Sequence, residues 1–196
     1  MDDKGLFGDR EKAMEANYFR QQDERLLERL RQNAKLEEIA GALAEKLQID
    51  NPELLERVKA LGITVDTAPA FFLAPLVQVA WSDGSVSRKE HETVLRLAQQ
   101  REIETGAPAF AQLEEWLRQR PSDKLFDTAV EVLKYGFAVL PPKEREERIK
   151  RIVDACHDVA SASGNGLATL LALGNTVESS EEATLDAITA RLRMHN

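Results

Sequence analysis

From Asp9 to Lys35 the chain contains neither glycine nor proline, and Glu, Arg, Lys, Gln, Ala and Leu, the good helix formers, dominate it. Such a run has one regular conformation open to it, the α-helix. Its apolar residues are nevertheless sparse: Ala13, Met14, Ala16, Tyr18 and Phe19, then Leu26, Leu27 and Leu30. A helix that packs on its own domain carries a broad apolar stripe, and the first half of this run has none. The segment reads either as a solvated charged helix or as an arm that binds something outside its own domain.

A second register begins near Leu36. Leu36, Ile39, Leu43 and Leu47 recur at helical spacing, so residues 36–48 are expected to link the arm to a body. Asn51-Pro52 then reads as an N-cap followed by proline at the first helical position, opening a short helix from Glu53 to about Leu61 that Gly62 ends. Phe71, Phe72, Leu73, Leu76, Val77, Val79, Ala80 and Trp81 predict one central buried helix. Ser87-Arg88-Lys89-Glu90 is a capping box, and Val94, Leu95, Leu97 and Ala98 form the buried face that follows it.

Further helices are expected at about 108–119, 123–139, 142–162 and 180–193, with Pro141-Pro142 separating two of them. Glu144–Arg148, Glu146–Lys150 and Glu147–Arg151 have the i,i+4 spacing of pairs on an exposed face, and Lys143, Glu144 and Arg145 read as solvated. No stretch alternates with period two for long enough to make a strand. The fold class is therefore expected to be all-α: an N-terminal helical arm with its linker over 1–48, then a compact helical domain over 50–196.

Charge and cysteine content narrow the function classes. A net charge of −8 disfavours nucleic acid, whose phosphates need a Lys/Arg surface, and disfavours an anionic membrane. No run approaches the roughly 20 apolar residues of a membrane helix, so direct membrane insertion is not expected. The single cysteine, Cys156, allows neither an intrachain disulfide nor a cysteine-built zinc site, which suits a reducing compartment. Met-Asp-Asp-Lys-Gly at the start resembles no leader. The simplest expectation is a cytoplasmic bacterial protein, a mature organellar protein being the alternative.

Residues 7–20 read Phe-Gly-Asp-Arg-Glu-Lys-Ala-Met-Glu-Ala-Asn-Tyr-Phe-Arg. This run resembles the inhibitory segment of the mitochondrial ATP synthase inhibitor family, whose pattern is Phe-Gly-x-Arg-Glu-x-Ala-x-Glu-x-x-Tyr-Phe-Arg. Phe7, Gly8, Arg10, Glu11, Ala13, Glu15, Tyr18, Phe19 and Arg20 fall on it. The resemblance implies a regulatory protein, not an enzyme, whose partner is the catalytic head of an F-type ATP synthase. The arm would enter an interface between the α and β subunits, touch the rotor, and stop rotation in the hydrolytic direction. Tyr18 and Phe19 would then be buried anchors, and Arg10, Glu11, Glu15 and Arg20 would make charge-assisted contacts. Phe7 and Gly8 would lead the helix in, and the protein would sit at the membrane periphery when engaged. The likeness stops after Arg20. Asn33-Ala34 stands where that family has adjacent histidines, and a helical body replaces its coiled coil. Neither the family's pH switch nor its antiparallel dimer is implied.

The body carries a second resemblance. Residues 75–98 look like the tellurite-resistance TerB family, marked by an apolar helix, an Ala-x-x-Asp-Gly-x-Val turn and a glutamate four residues beyond the valine. Ala80, Asp83, Gly84, Val86 and Glu90 take those places, and Thr176 to Glu181 echo the turn. This resemblance implies a stress-response or scaffold protein, with a divalent cation on Asp83 and Glu90 as one option. The residues themselves read more simply, Asp83-Gly84 as a turn and Glu90 as half of the capping box.

Other reactive side chains lack a constellation. Cys156 and His157 are neighbours about 100° apart on a helix, and Cys156 lies on the apolar face between Ile152 and Val159. His91 and His195 have no triad or metal spacing, and Ser161 to Gly166 lacks the lysine and strand of a phosphate loop. Trp81, Trp116 and Tyr135 read as core. No catalytic residue, metal ligand or cofactor is expected.

Overall fold

The computed structural model describes residues 4–162 and 176–194, with side chains from residue 22 onward apart from a few positions in and beside the helices. The chain is all-α: the described residues form nine helices and no strand. They are α1 (Lys4–Leu47), α2 (Pro52–Ala60), α3 (Ala68–Phe71), α4 (Ala74–Ala80), α5 (Arg88–Gln99), α6 (Pro108–Arg118), α7 (Asp123–Ala138), α8 (Pro142–Ala162) and α9 (Thr176–Arg193). Backbone contacts divide the chain into two compact units, residues 1–42 and 43–196. The core of the second unit takes in Leu43, Leu47 and Ile49, which the sequence places in the linker.

The ends of the helices follow local chemistry. Asn51 caps α2, its Oδ1 accepting from the amides of Glu53 at 3.0 Å and Leu54 at 3.2 Å, with Pro52 supplying the first turn. Helix α1 ends without glycine. Gln48 adopts a left-handed conformation (φ 54°), so that its amide reaches Glu45 O at 3.1 Å and the Ile49 amide reaches Ala44 O at 2.9 Å. Glu102 (φ 63°) repeats this at the end of α5, where Ile103 N donates to Ala98 O at 3.1 Å. In both motifs the next residue, Ile49 or Ile103, is buried, and that hydrophobic anchor offsets the conformational cost of a non-glycine residue there.

Three elements depart from the sequence expectation. The central apolar helix is two helices, α3 and α4, broken at Phe72–Leu73. Pro75 is the cause: it offers no N–H, and its ring excludes a helical carbonyl four residues earlier, so it can sit only in the first turn of a new helix. Helix α9 starts at Thr176 rather than near 180, so Thr176 to Ser180 are helical and not a turn. No glycine or proline interrupts residues 176–193, leaving nothing to delay its start. Finally, α1 runs unbroken through both the arm and the expected linker.

Helix α4 is the hub of the second unit. It packs against α5, α6, α7, α8 and α9, and six of its seven residues are buried. Its C-cap, Trp81, ties it to α6 by donating its indole N–H to Trp116 O at 2.8 Å. Around this core, α7 presents an acidic row that meets arginines from three other places: Asp123 with Arg120, Asp127 with Arg191 of α9, and Glu131 with Arg57 of α2. These pairs are half exposed and each is worth little, about 0–1 kcal/mol. They mark register more than they supply stability.

Candidate functional site

The eight residues expected to meet a partner, Phe7, Gly8, Arg10, Glu11, Glu15, Tyr18, Phe19 and Arg20, all lie on the helical backbone of α1. Their side-chain surroundings fall outside the described residues. The backbone alone orders them. At 3.6 residues per turn, positions 7 and 18 are eleven apart and return to within about 20° of one another, as do positions 8 and 19. Phe-Gly and Tyr-Phe, the two least common elements of the run, therefore share one side of the helix about 16 Å apart along its axis. Positions 11 and 15 lie on the same side, whereas positions 10 and 20 lie on the other.

Immediately C-terminal to this run, the described side chains of α1 are exposed almost throughout. Leu26, Leu27 and Leu30 are 56%, 52% and 55% exposed, and Ile39 is 45% exposed. Four turns after Leu30 the same helix buries Leu43 and Leu47 almost completely. Among the described residues between 22 and 40, none joins the core.

The turn between α4 and α5 holds the second candidate pair. Gly84 takes φ 92°, a conformation open to glycine at no steric cost. Asp83 Oδ1 accepts from Ser85 N at 2.9 Å and lies 3.4 Å from Ser85 Oγ, closing the turn from within. Glu90 completes the capping box: its Oε2 accepts from Ser87 N at 2.7 Å, while its own amide donates to Ser87 Oγ at 3.3 Å. The turn thus uses Asp83 Oδ1 and the cap Glu90 Oε2. Among the described residues no three His, Cys, Asp or Glu side chains gather as a metal site.

Sequence reasoning missed the depth of Glu90. The side chain is 1% exposed, and its Oε1 has no hydrogen-bond partner. Burial raises its pKa above the usual carboxylate range, the hydrogen bonds from Ser87 pull it back, and the nearby charge of Asp83 raises it further. A capping box places its glutamate on the first turn, where most are solvated, so periodicity gave no hint of this. Gln78 Oε1 and Ser82 Oγ, on α4 and just beyond it, are also buried without a partner.

Cys156 is fully buried, and burial pushes its thiol up to about 12. A thiol so disfavoured from ionising is no nucleophile at neutral pH. His157 faces Ser161 instead, with Nδ1 3.3 Å from Oγ. A shallow depression at the start of α8 is lined by Pro141, Lys143, Glu144, Glu147, Arg148 and Arg151, flexible charged side chains of both signs. Within that helix Arg148 pairs with Glu144, but Glu146 pairs with Arg193 of α9 rather than with Lys150. Arg145 is no solvated bystander. Its guanidinium donates to the carbonyls of Phe137, Ala138 and Leu140 at 3.1, 2.9 and 3.3 Å, closing the open end of α7. Among the described residues no helix is long and apolar enough to cross a membrane.

Comparison with protein-family models, curated proteins and solved structures gives no match.

Proposed function

We propose that this chain is a regulatory inhibitor of ATP hydrolysis by an F-type ATP synthase, acting through the N-terminal part of α1. The observation that carries this reading is the run from Phe7 to Arg20 on an uninterrupted helical backbone. Its nine pattern residues keep the separations that place Phe7 with Tyr18, and Gly8 with Phe19, on one side of the helix. The segment enters the catalytic head between α and β subunits and reaches the rotor. Tyr18 and Phe19 are its apolar anchors, and Arg10, Glu11, Glu15 and Arg20 pair with polar groups around them.

The test is ATP hydrolysis by the purified cognate enzyme under turnover, with the full-length chain added. Inhibition that rises with concentration and saturates supports the reading; hydrolysis unchanged at micromolar protein sinks it.

A second reading, a TerB-like stress or scaffold protein acting through its body, rests on the turn from Ala80 to Glu90. In its favour are the positive φ at Gly84, the half-buried Val86 packed on the core, and the buried Glu90. Capture of the chain from lysate separates the two. The first reading requires synthase α and β subunits among the captured proteins and their loss when Tyr18 and Phe19 are changed. The second requires other partners, indifferent to that change.

A further inference from the structure

We propose that Gly41 is a built-in break point of α1, at which the residues before it can leave the straight helix while Leu43 and Leu47 stay buried. Between Gly8 and Pro52 the chain has no other glycine and no proline, and alanines stand at 40, 42 and 44. Nothing in the straight helix calls for glycine at this position. Gly41 is exposed, it is not among the left-handed residues, and a Cβ built on it meets nothing within 4 Å. Alanine would fit that space and favour the helix by about two- to fivefold. The glycine therefore serves a conformation other than the straight one.

Its position says which. On the C-terminal side, Leu43 and Leu47 are 1% and 2% exposed, so the core holds the last turns of α1. On the other side no described side chain from residue 22 to 42 is buried, which leaves backbone hydrogen bonds to hold that stretch. A helix commonly stops at a left-handed residue whose amide, and the next one, reach back to free carbonyls. Helix α1 ends in this way, with the amides of Gln48 and Ile49 on the carbonyls of Glu45 and Ala44. The same motif centred on Gly41 would set the amides of Gly41 and Ala42 on the carbonyls of Glu38 and Glu37. At Gln48 the buried Ile49 offsets the strain of a left-handed side chain. Ala42 is small and exposed and offers no such anchor, so a stop at 41 depends on glycine. Helix α1 thus carries a second stop in reserve, and taking it redirects the arm without loss of core burial. This device does not rest on the ATP synthase reading, and no partner enters its test.

The test is double electron–electron resonance on the full-length chain, with spin labels on two introduced cysteines and the buried Cys156 left in place. R25C/E45C spans Gly41 over 20 residues, about 30 Å in a continuous helix, and R25C/E38C spans 13 residues before it, about 20 Å. The spanning pair should show a second distance besides that of the straight helix, and the other pair one distance only. G41A, which disfavours the left-handed form by about tenfold, should remove the second distance. G41N and G41T separate a left-handed stop from simple weakening of the helix. Their helix propensities are similar, but asparagine visits the left-handed region and β-branched threonine avoids it. G41N should therefore keep the second distance and G41T should lose it. Three results would overturn the proposal: a single distance across Gly41 in the wild type, equal broadening of the pair before it, or the same behaviour from G41N and G41T.

Discussion

Leu27 and Leu47 belong to the same helix, yet one is 52% exposed and the other 2%. Between them the composition changes in one respect. Leu43, Leu47 and Ile49 come together with the apolar residues of α2 to α9, while Leu26, Leu27 and Leu30 stand among Glu24, Arg25, Glu28, Arg29 and Arg31. Helix formation is served equally by both halves; only the second half is committed to a core. Among the described residues, none from 22 to 40 joins the core, so mutations there should separate from mutations in the body by kind as well as by size.

The largest expected separation concerns the aromatic pair. Under the proposed function, Y18A/F19A should weaken binding to the ATP synthase head by about 10³-fold, at about 2 kcal/mol for each buried anchor. Isothermal titration against the purified head measures this, and thermal melting should show the body unchanged. A double variant that melts far lower would assign Tyr18 and Phe19 to the core and erase the contrast.

Next in size is the comparison along α1 itself. L47A should cost about 2–5 kcal/mol of unfolding free energy by urea titration, the range for a buried leucine, and L27A should stay within about 0.5 kcal/mol. Equal losses would mean that the exposed segment also packs within its own chain.

A smaller difference is expected between two neighbours on α8. R145A strips the carbonyls of Phe137, Ala138 and Leu140 of their donor and should cost about 1–2 kcal/mol. K143E, two residues away and exposed, should change stability by less than about 0.5 kcal/mol.

The smallest effect is a pH dependence. Because the folded pKa of Glu90 lies above its unfolded value, the proton-linked stability is present in full below the ordinary carboxylate range and is lost as pH rises through the raised value. E90Q keeps a capping-box side chain but cannot titrate. The wild type should therefore gain stability relative to E90Q as pH falls from 7 toward 4.5, measured by melting at each pH. A gap that stays constant would show Glu90 to be ionised throughout.

Much of the fold was legible because local signals agreed with one another. Asn51-Pro52, Ser87 with Glu90, and the apolar spacing of α5 to α8 each name a helix without reference to its neighbours. Pro75 is a local signal too: proline's missing donor breaks the continuous apolar run whatever surrounds it. The other departures rest on information that is not local. Arg145 reads as solvated from its own helix, and only the fold brings the end of α7 within its reach. Glu146 had Lys150 at ideal spacing and took Arg193 instead, because α9 packs beside α8. For the candidate site, the residues are read from the sequence, and the helical backbone sets positions 7, 8, 11, 15, 18 and 19 on one side and positions 10 and 20 on the other.

The central claim is that the arm acts on a rotary ATPase while the body stands apart from that act. It is tested most directly by steady-state ATP hydrolysis of the purified cognate enzyme, titrated in parallel with the full-length wild type and with Y18A/F19A. The account predicts saturable inhibition by the wild type and a double variant that needs about 10³-fold more protein for the same effect. Full hydrolysis in the presence of wild-type protein, or equal inhibition by both proteins, would contradict it.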